Sequence, residues 1–454
     1  MNRWKTNCLG CVLIALSGAV HAQVVAGIYD FGATGSSQNP AYVTPVQGRD
    51  GELYGTTYGV TYGSVFKITT AGSGGDLYEF NSSQGANPVG GLTLSADGSF
   101  YGTTAFGGST NQGVLFKITA SGTYTVLHEF AGGSDGANPF APPILASDGN
   151  LYGTTEGLFS VASTIYKYTP SGTFSTIYQF EQVNGATISA PLTQGSNGDL
   201  FGSASGGGVY GCGTLFTITR SGTLVSSYSF PCGSRGALPG TLVQASDGNF
   251  YGMTDQGGTE NLGTIFKMNP LTMKVTTLHK FVGGNGDGKL PTGGLVEATD
   301  GNLYGETSGG GSSNDGVLFR LTTTGDYKVI YTFQSTTGSG ALAAPFQHTN
   351  GLLYGTLQLG GTFGKGAVYS LDLGLKPFVT FVRPTGKVGV SAQILGQGLT
   401  GATSVTFNGV AATFSVVSDT YMTAVVPAGA TTGAVVVATP AGNLTSNVSF
   451  RISK

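Results

Sequence analysis

One phrase, Ala146-Ser147-Asp148-Gly149-Asn150-Leu151-Tyr152-Gly153-Thr154-Thr155, is written in seven variants along the chain. Its turn dipeptide stands at Asp50-Gly51, Asp97-Gly98, Asp148-Gly149, Asn197-Gly198, Asp247-Gly248, Asp300-Gly301 and Asn350-Gly351. An aromatic residue paired with glycine follows each: Tyr54, Tyr101, Tyr152, Phe201, Tyr251, Tyr304 and Tyr354. Steps of 47 to 53 residues define a repeat architecture, in which a unit buries its apolar faces only against its neighbours. Asp-Gly or Asn-Gly between apolar runs predicts a type I′ hairpin turn, with positive φ at both central residues. Asp and Asn interchange here, as turn chemistry permits and carboxylate chemistry does not. The repeated acids are therefore read as turn residues rather than a metal or catalytic array.

Each unit holds four short runs of alternating apolar and polar residues bounded by Gly, Pro or Asp, the signal of strands. Strand A precedes the turn (91–94, 143–146, 191–194, 241–244, 294–297), and strand B carries the aromatic–Gly pair. Strand C follows a Gly-rich loop (65–68, 115–118, 165–168, 215–218, 265–268, 318–321, 368–371). Strand D follows a tight turn (77–80, 127–130, 177–180, 227–230, 278–281, 330–333). Four antiparallel strands per ~50 residues, seven times over, is the arithmetic of an all-β, seven-bladed β-propeller. The D strand missing from the last unit is expected at the front, as Ile28-Tyr29-Asp30-Phe31. Pairing with 368–371, it would close the ring and cover an edge. The strand B tyrosines and strand C phenylalanines are expected to pack between blades. After Leu371 the signature stops, and short alternating strands predict a small Ig-like β-sandwich held close by a short linker. The expected organisation is a signal peptide at 1–22, a propeller at 23–375 and a sandwich at 376–454.

Charged residues are 9% of the chain, against about 25% in an average soluble domain. The formal net charge is −3 and no basic run interleaves with aromatics, which argues against a nucleic-acid partner. Arg3 and Lys5 precede a short apolar run from Leu9 to Val20, and Val20-His21-Ala22 offers small residues for cleavage before Gln23. The run is too short to span a membrane. An exported monomer without a transmembrane segment is expected, whether periplasmic, extracellular or at the cell surface. Cleavage leaves Cys212 and Cys232, which flank one C–D hairpin at its open end. In an oxidising compartment they are expected to form a disulfide, a reactive thiol or metal site being the weaker alternative.

Repeats reading Asp-Gly-Asn-Leu-Tyr-Gly-Thr-Thr (148–155), then Gly-Gly, then Gly-Val-Leu-Phe-Lys-Ile-Thr (113–119) resemble the GloVer-type tandem repeats of exported bacterial proteins, over roughly 28–371. Phe407-Asn408-Gly409, Val426-Pro427-Ala428-Gly429 and Ser446-Asn447-Val448-Ser449-Phe450 resemble an IPT/TIG immunoglobulin-like module. Neither resemblance implies a catalytic residue.

The search for chemistry yields little. His128 and His279 hold one repeat position in strand D, and no His-x-x-x-His spacing or Cys/His cluster supports a zinc site. No catalytic residue, cofactor or metal is therefore assigned. The A–B and C–D connections are tight and share one face of the ring, while the longer B–C and D–A connections share the other. Ligand sites favour loops displayed on a rigid scaffold. The candidate binding residues are the loop carboxylates Glu156, Asp255, Glu260, Asp287 and Asp315. The expected function is binding without catalysis, with polysaccharide or another envelope component, including an envelope protein, as ligand. The alternatives are a carbohydrate-active lyase or glycosidase, which would need two carboxylates facing one cleft, and a purely structural envelope protein.

Overall fold

The hairpin turns that set the repeat differ from the type I′ expectation. In the computed structural model, which describes residues 24–32, 38–59, 61–157, 162–181 and 183–453, only the turn glycine takes positive φ: 78° at Gly51, 84° at Gly149, 95° at Gly351. The Asp or Asn before it does not. Gly149 N–H donates to Ala146 O at 2.9 Å and Ala146 N–H to Asn150 O at 2.9 Å, a type I turn followed by a glycine bulge. The acid has a reason to stay out of the left-handed region. Asp148 Oδ1 accepts the Asn150 N–H at 3.1 Å, an Asx turn that positions the carboxylate over its own backbone. The other oxygen accepts the strand B tyrosine hydroxyl: 2.6 Å from Tyr54 to Asp50, 2.9 Å from Tyr152 to Asp148, 2.8 Å from Tyr251 to Asp247. Where Asn350 replaces the acid, its amide donates to Tyr354 Oη at 2.9 Å. The Asp and the Tyr four residues on are one bonded unit. The expected signal segment and its cleavage point before Gln23 lie outside the described residues.

Seven antiparallel sheets carry the repeats, numbered here in chain order. Sheet 3 is typical, with A at Ile144–Leu145, B at Leu151–Thr155, C at Thr164–Tyr168 and D at Phe174–Gln179. Strand A is shorter than expected because Pro45, Pro143 and Pro345 stand immediately before it in sheets 1, 3 and 7 and have no N–H for the ladder. Strand D begins earlier than expected, at Gly74–Glu79 in sheet 1, and bulges against strand C. Sheet 7 takes its outer strand from the front of the chain: Val24–Asp30 pairs antiparallel with Ala367–Asp372.

The aromatic–Gly pair has a steric cause. The strand C ring lies over the strand B glycine, so that a Cβ on Gly202 would stand 2.3 Å from Phe216 Cζ. The residue before that glycine turns to the next sheet, Tyr54 stacking on Phe100 and Phe201 on Phe250 at 4.2 Å each. A hydroxyl two residues after the aromatic reaches the following sheet: Thr56 donates to Gly90 O (2.6 Å), Thr103 to Ala141 O (2.9 Å), Thr154 to Ala190 O (3.2 Å) and Ser203 to Gly240 O (2.6 Å). In sheet 7, Thr356 donates to Val43 O of sheet 1 at 2.7 Å. Sheets 5, 6 and 7 are tied through Glu297, which accepts Ser246 N–H (2.8 Å), and Gln347, which accepts Thr299 N–H (2.9 Å).

Beyond Asp372, two four-stranded sheets enclose a separate core of Val379, Ile394, Val405, Phe407, Met422, Val437 and Phe450. This C-terminal unit sits on the tight-turn ends of the repeat sheets. Thr420 Oγ1 donates to Arg49 O (2.7 Å), Gln393 to Ala96 O (2.7 Å), Arg451 to Gly195 O (3.2 Å), and Thr349 Oγ1 to Gly396 O (3.1 Å). Leu395 and Tyr421 are buried against Tyr54, Leu92 and Leu94, with the Arg49 guanidinium 4.4 Å from the Tyr421 ring centre. The last residue of strand A marks this seat. Gln47, Gln194, Gln244, Glu297 and Gln347 each accept a backbone N–H from the turn of the preceding sheet. Sheets 2 and 3 carry Leu94 and Leu145 instead; Leu94 meets Leu395 and Tyr421, and Leu145 lines a cleft with Arg383, Pro384 and Arg451.

Candidate binding face

The long-loop face is built on a repeated backbone contact. A residue just past strand B donates its N–H to a D–A loop carbonyl: Tyr58 to Asn39, Ala105 to Asn87, Glu156 to Asn138, Ser205 to Thr187, Ser308 to Leu290 and Gln358 to Gly340, at 3.0 to 3.2 Å. Every acceptor has positive φ, from 53° at Leu290 to 68° at Gly340. Asn tolerates this conformation; Thr187 and Leu290 hold it against their own preference, as only a firmly determined loop can enforce. In sheet 5 the D–A segment Ala237–Pro239, with Leu238 at φ 57°, pairs outright with strand B at Thr254 and Gln256, flanking Asp255. The backbone of the rim is thus nearly uniform, while its side chains run Tyr58, Ala105, Glu156, Ser205, Asp255, Ser308 and Gln358.

Inside this rim is a cavity of about 640 Å³ lined by residues of all seven sheets. Its mouth carries Tyr42, Val89, Phe140 and Leu342, and its wall is a repeated pair of small residues such as Gly90-Gly91, Ala141-Pro142, Ala190-Pro191 and Ala343-Ala344. Sequence reasoning looked for polar loop residues and missed this cavity. The signal that could have found it is the small pair preceding strand A in every unit except the first, where Val43-Thr44 stands.

The five candidate carboxylates do not converge. Glu156 lines the cavity, and burial pushes its carboxyl above the usual range. Asp255 is raised by burial as well, but it is not among the residues that line the cavity. Asp287 is engaged elsewhere: it receives His279 at 3.1 Å and the Val282 N–H at 2.8 Å, just as Asp135 receives His128 at 3.1 Å. Burial would raise Asp287, but these bonds outweigh it and hold the carboxyl low. Asp315 accepts the Ser335 N–H at 2.8 Å in an outer loop. Glu260 lies in an exposed B–C loop, away from the cavity wall. The neighbouring loop asparagines are also structural, Asn111 and Asn261 each accepting a backbone N–H at 2.9 Å. Among the described residues no group of three or more His, Cys, Asp or Glu is arranged to hold a metal ion. No helix among them is long and apolar enough to cross a membrane. Cys212 and Cys232 form a disulfide with Cα atoms 5.4 Å apart, as expected.

Sheets of this kind, arranged around a shared cavity, define a propeller-like all-β scaffold. The model of the Gloeobacter/Verrucomicrobia repeat matches residues 17–160, 142–369 and 194–415, and the chain belongs to that family. No curated protein matches it in sequence. Among solved structures, the extracellular domain of a protein described as a hybrid two-component system from B. thetaiotaomicron superposes with a TM-score of 0.52 at 10% identity. That match covers 94% of this chain and 57% of the other. A fungal alcohol oxidase of the AA5 family, in complex with copper, gives 0.50 at 14% identity, covering 92% of this chain and 98% of the oxidase. At these identities the likeness is one of fold.

Proposed function

We propose that this is an exported, non-catalytic binding protein that presents its long-loop face to a polysaccharide or another component of the cell envelope. In this reading residues 23–375 form a closed seven-bladed propeller, and residues 376–454 an IPT/TIG-like immunoglobulin sandwich. Closure is supported by the pairing of Val24–Asp30 with Ala367–Asp372 and by the Thr356–Val43 bond between the last sheet and the first. Export is supported by the repeat family, by the n-region and apolar run before Gln23, and by the disulfide.

The observation that carries the reading is the position of the C-terminal unit. It is seated on the tight-turn ends of sheets 1, 2, 4 and 7, which leaves the variable loops and the cavity on the opposite face as an open surface. The test uses the protein beginning at Gln23, incubated with soluble and insoluble polysaccharides, recording both retained protein and newly formed sugar ends. Retention without sugar release, lost on substituting long-loop residues, is the expected outcome. Sugar release abolished by substituting Glu156 or Asp255 would replace this reading with a carbohydrate-active enzyme.

A further inference from the structure

The aromatic residues of the repeat domain divide between the inside and one side. Rings on the strands pack into the seams between sheets, as Tyr54 does on Phe100 and Phe201 on Phe250. Among the described residues five large aromatic side chains are exposed: Tyr42, Tyr58, Tyr62, Tyr210 and Phe363. All five stand on B–C or D–A loops, so every one of these exposed rings is on the long-loop face. Among the described residues none of them packs against another ring, in contrast to the strand rings. Keeping a large apolar ring in water is unfavourable, and exposed apolar surface gathered on one face marks a site of interaction.

Four of the five belong to one place, the join between sheet 7 and sheet 1. Tyr58 and Tyr62 are in the B–C loop of sheet 1, Phe363 in that of sheet 7, and Tyr42 in the D–A loop that runs between them. Backbone bonds tie these loops together. The Asn39 N–H donates to Lys365 O at 2.7 Å, while Asn39 O accepts the Tyr58 N–H at 3.1 Å and the Ala41 N–H at 2.8 Å. Gln38 O accepts the Gly59 N–H at 3.1 Å, and Tyr62 O accepts the Asn87 N–H at 2.8 Å. Phe363 sits in a turn closed by the Gly364 N–H on Gly361 O at 3.2 Å. Tyr42 holds φ 59°, which a bulky residue keeps only where the loop around it is firmly determined. Each ring is 40 to 50% exposed yet projects from a fixed loop, so a ligand that covers it orders little.

The spacing of the rings selects the ligand. A protein partner is met by a contiguous apolar core within a polar rim. Here the rings are single, and Gly59, Thr61, Thr362 and Gly364 stand beside them in the same loops. That suits a ligand which repeats a small apolar face along a chain. A pyranose has such a face, because its axial C–H groups meet the negative face of an aromatic ring while its hydroxyls stay in water. We propose that a polysaccharide chain lies across the join of sheets 7 and 1 and stacks sugar rings on Tyr42, Tyr58, Tyr62 and Phe363. The inference rests on the reading of the long-loop face as the binding face and names the side chains that would hold the sugar.

Depletion isotherms of the full chain on insoluble cellulose, chitin and xylan, with affinity electrophoresis in soluble β-glucan and alginate, identify a polysaccharide that the parent retains. On that polymer Tyr42→Ala, Tyr58→Ala and Phe363→Ala should each weaken binding about three- to tenfold, the worth of one aromatic stacking contact. Tyr42→Phe and Tyr58→Phe keep the ring and lose the hydroxyl, and should bind within about twofold of the parent. Tyr210→Ala, which removes an exposed ring of sheet 4 outside the join, should leave retention unchanged; thermal denaturation of each variant checks that it is folded. Oligosaccharides of the retained polymer should compete better with each added sugar until the join is spanned. Affinity unchanged in the alanine variants, equal loss in Tyr42→Ala and Tyr42→Phe, or a loss in Tyr210→Ala as large as in Tyr58→Ala overturns the proposal. Should retention depend on polar long-loop residues and not on these rings, the proposed function stands and only this inference falls. Retention of no polysaccharide by the parent overturns this inference and leaves the proposed function only its other envelope ligands.

Discussion

The two faces of the repeat domain use the same backbone in opposite ways. On the tight-turn face the side chains repeat along with the backbone. An Asp or Asn bonds its own turn, a Tyr bonds that residue, a Lys often joins them, and a Gln or Glu reaches the preceding sheet. In sheet 5, burial alone would raise Asp247, yet bonds from Lys267, Asn249 and Tyr251 overcome it and hold the carboxyl at about 2. On the long-loop face the backbone contacts repeat with equal fidelity, but no two neighbouring rim side chains are alike. Uniform side chains belong where every unit has the same structural task. Variation on a fixed backbone leaves room for one asymmetric ligand. The exception within the tight-turn face makes the same point: Leu94 and Leu145 break the Gln series where the C-terminal unit is seated.

The largest effect should come from breaking that seat. Leu395 is buried between sheets 1 and 2 and the C-terminal unit, so Leu395→Ala should cost about 2–5 kcal/mol in denaturation and expose the 372–378 linker to proteolysis. A loss well below 1 kcal/mol with the linker still protected would mean that the tight-turn face is as free as the other.

Next is a seam between sheets rather than a face. Glu306 occupies in sheet 6 the place held by a ladder hydroxyl in five of its counterparts, and it is fully buried. The Tyr369 hydroxyl donates to Oε1, and among the described residues Oε2 has no partner. Burial raises this carboxyl well above its ordinary value, so the folded state holds its proton at pH values where the unfolded chain has released it. Stability from this group is therefore complete below the ordinary glutamate range and declines as pH rises above it. Glu306→Gln removes the titrating group, so it should flatten the decline and leave the variant more stable than the parent at neutral pH. Equal slopes of stability against pH in both proteins would refute this account.

A reciprocal exchange then sharpens the contrast within the tight-turn face. Leu94→Gln buries an amide against Leu395 and Tyr421 and should cost about 1–3 kcal/mol, whereas Gln244→Leu frees one exposed N–H on Ser196 and should cost about 1 kcal/mol or less. If both cost the same, the leucines are incidental to the seat.

What the sequence made legible divides along the same line. Strand number, the outer strand from the front of the chain, the Cys212–Cys232 bond and the packing role of Tyr54 could be read because each follows from local rules or from counting repeats. The turn type could not, because Asp-Gly and Asn-Gly suit more than one tight turn, and the same glycine-bulge turn forms at Asn197-Gly198, where Phe201 offers no hydroxyl. Asp287 read as a loop acid; only the fold brings it to His279. The cavity escaped notice because Gly90, Ala141 and Ala190 carry no chemistry and line a volume only when seven copies converge.

The smallest stability effect, and the sharpest functional one, is expected on the rim. Among the described residues the Glu156 and Asp255 carboxylates make no bond of the kind that holds Asp247 in its turn, and burial disfavours their charges. Replacing them with Gln and Asn should leave the midpoint of denaturation within about 0.5 kcal/mol of the parent, with any shift toward greater stability at neutral pH, because a raised carboxyl is a liability that the amide removes. Asp247→Ala on the other face removes an Asx turn, a tyrosine partner and a lysine partner together, and should cost more than the rim pair combined. A rim pair costing as much as Asp247 would make these carboxylates part of the frame, and the asymmetry between the two faces would then say nothing about a ligand.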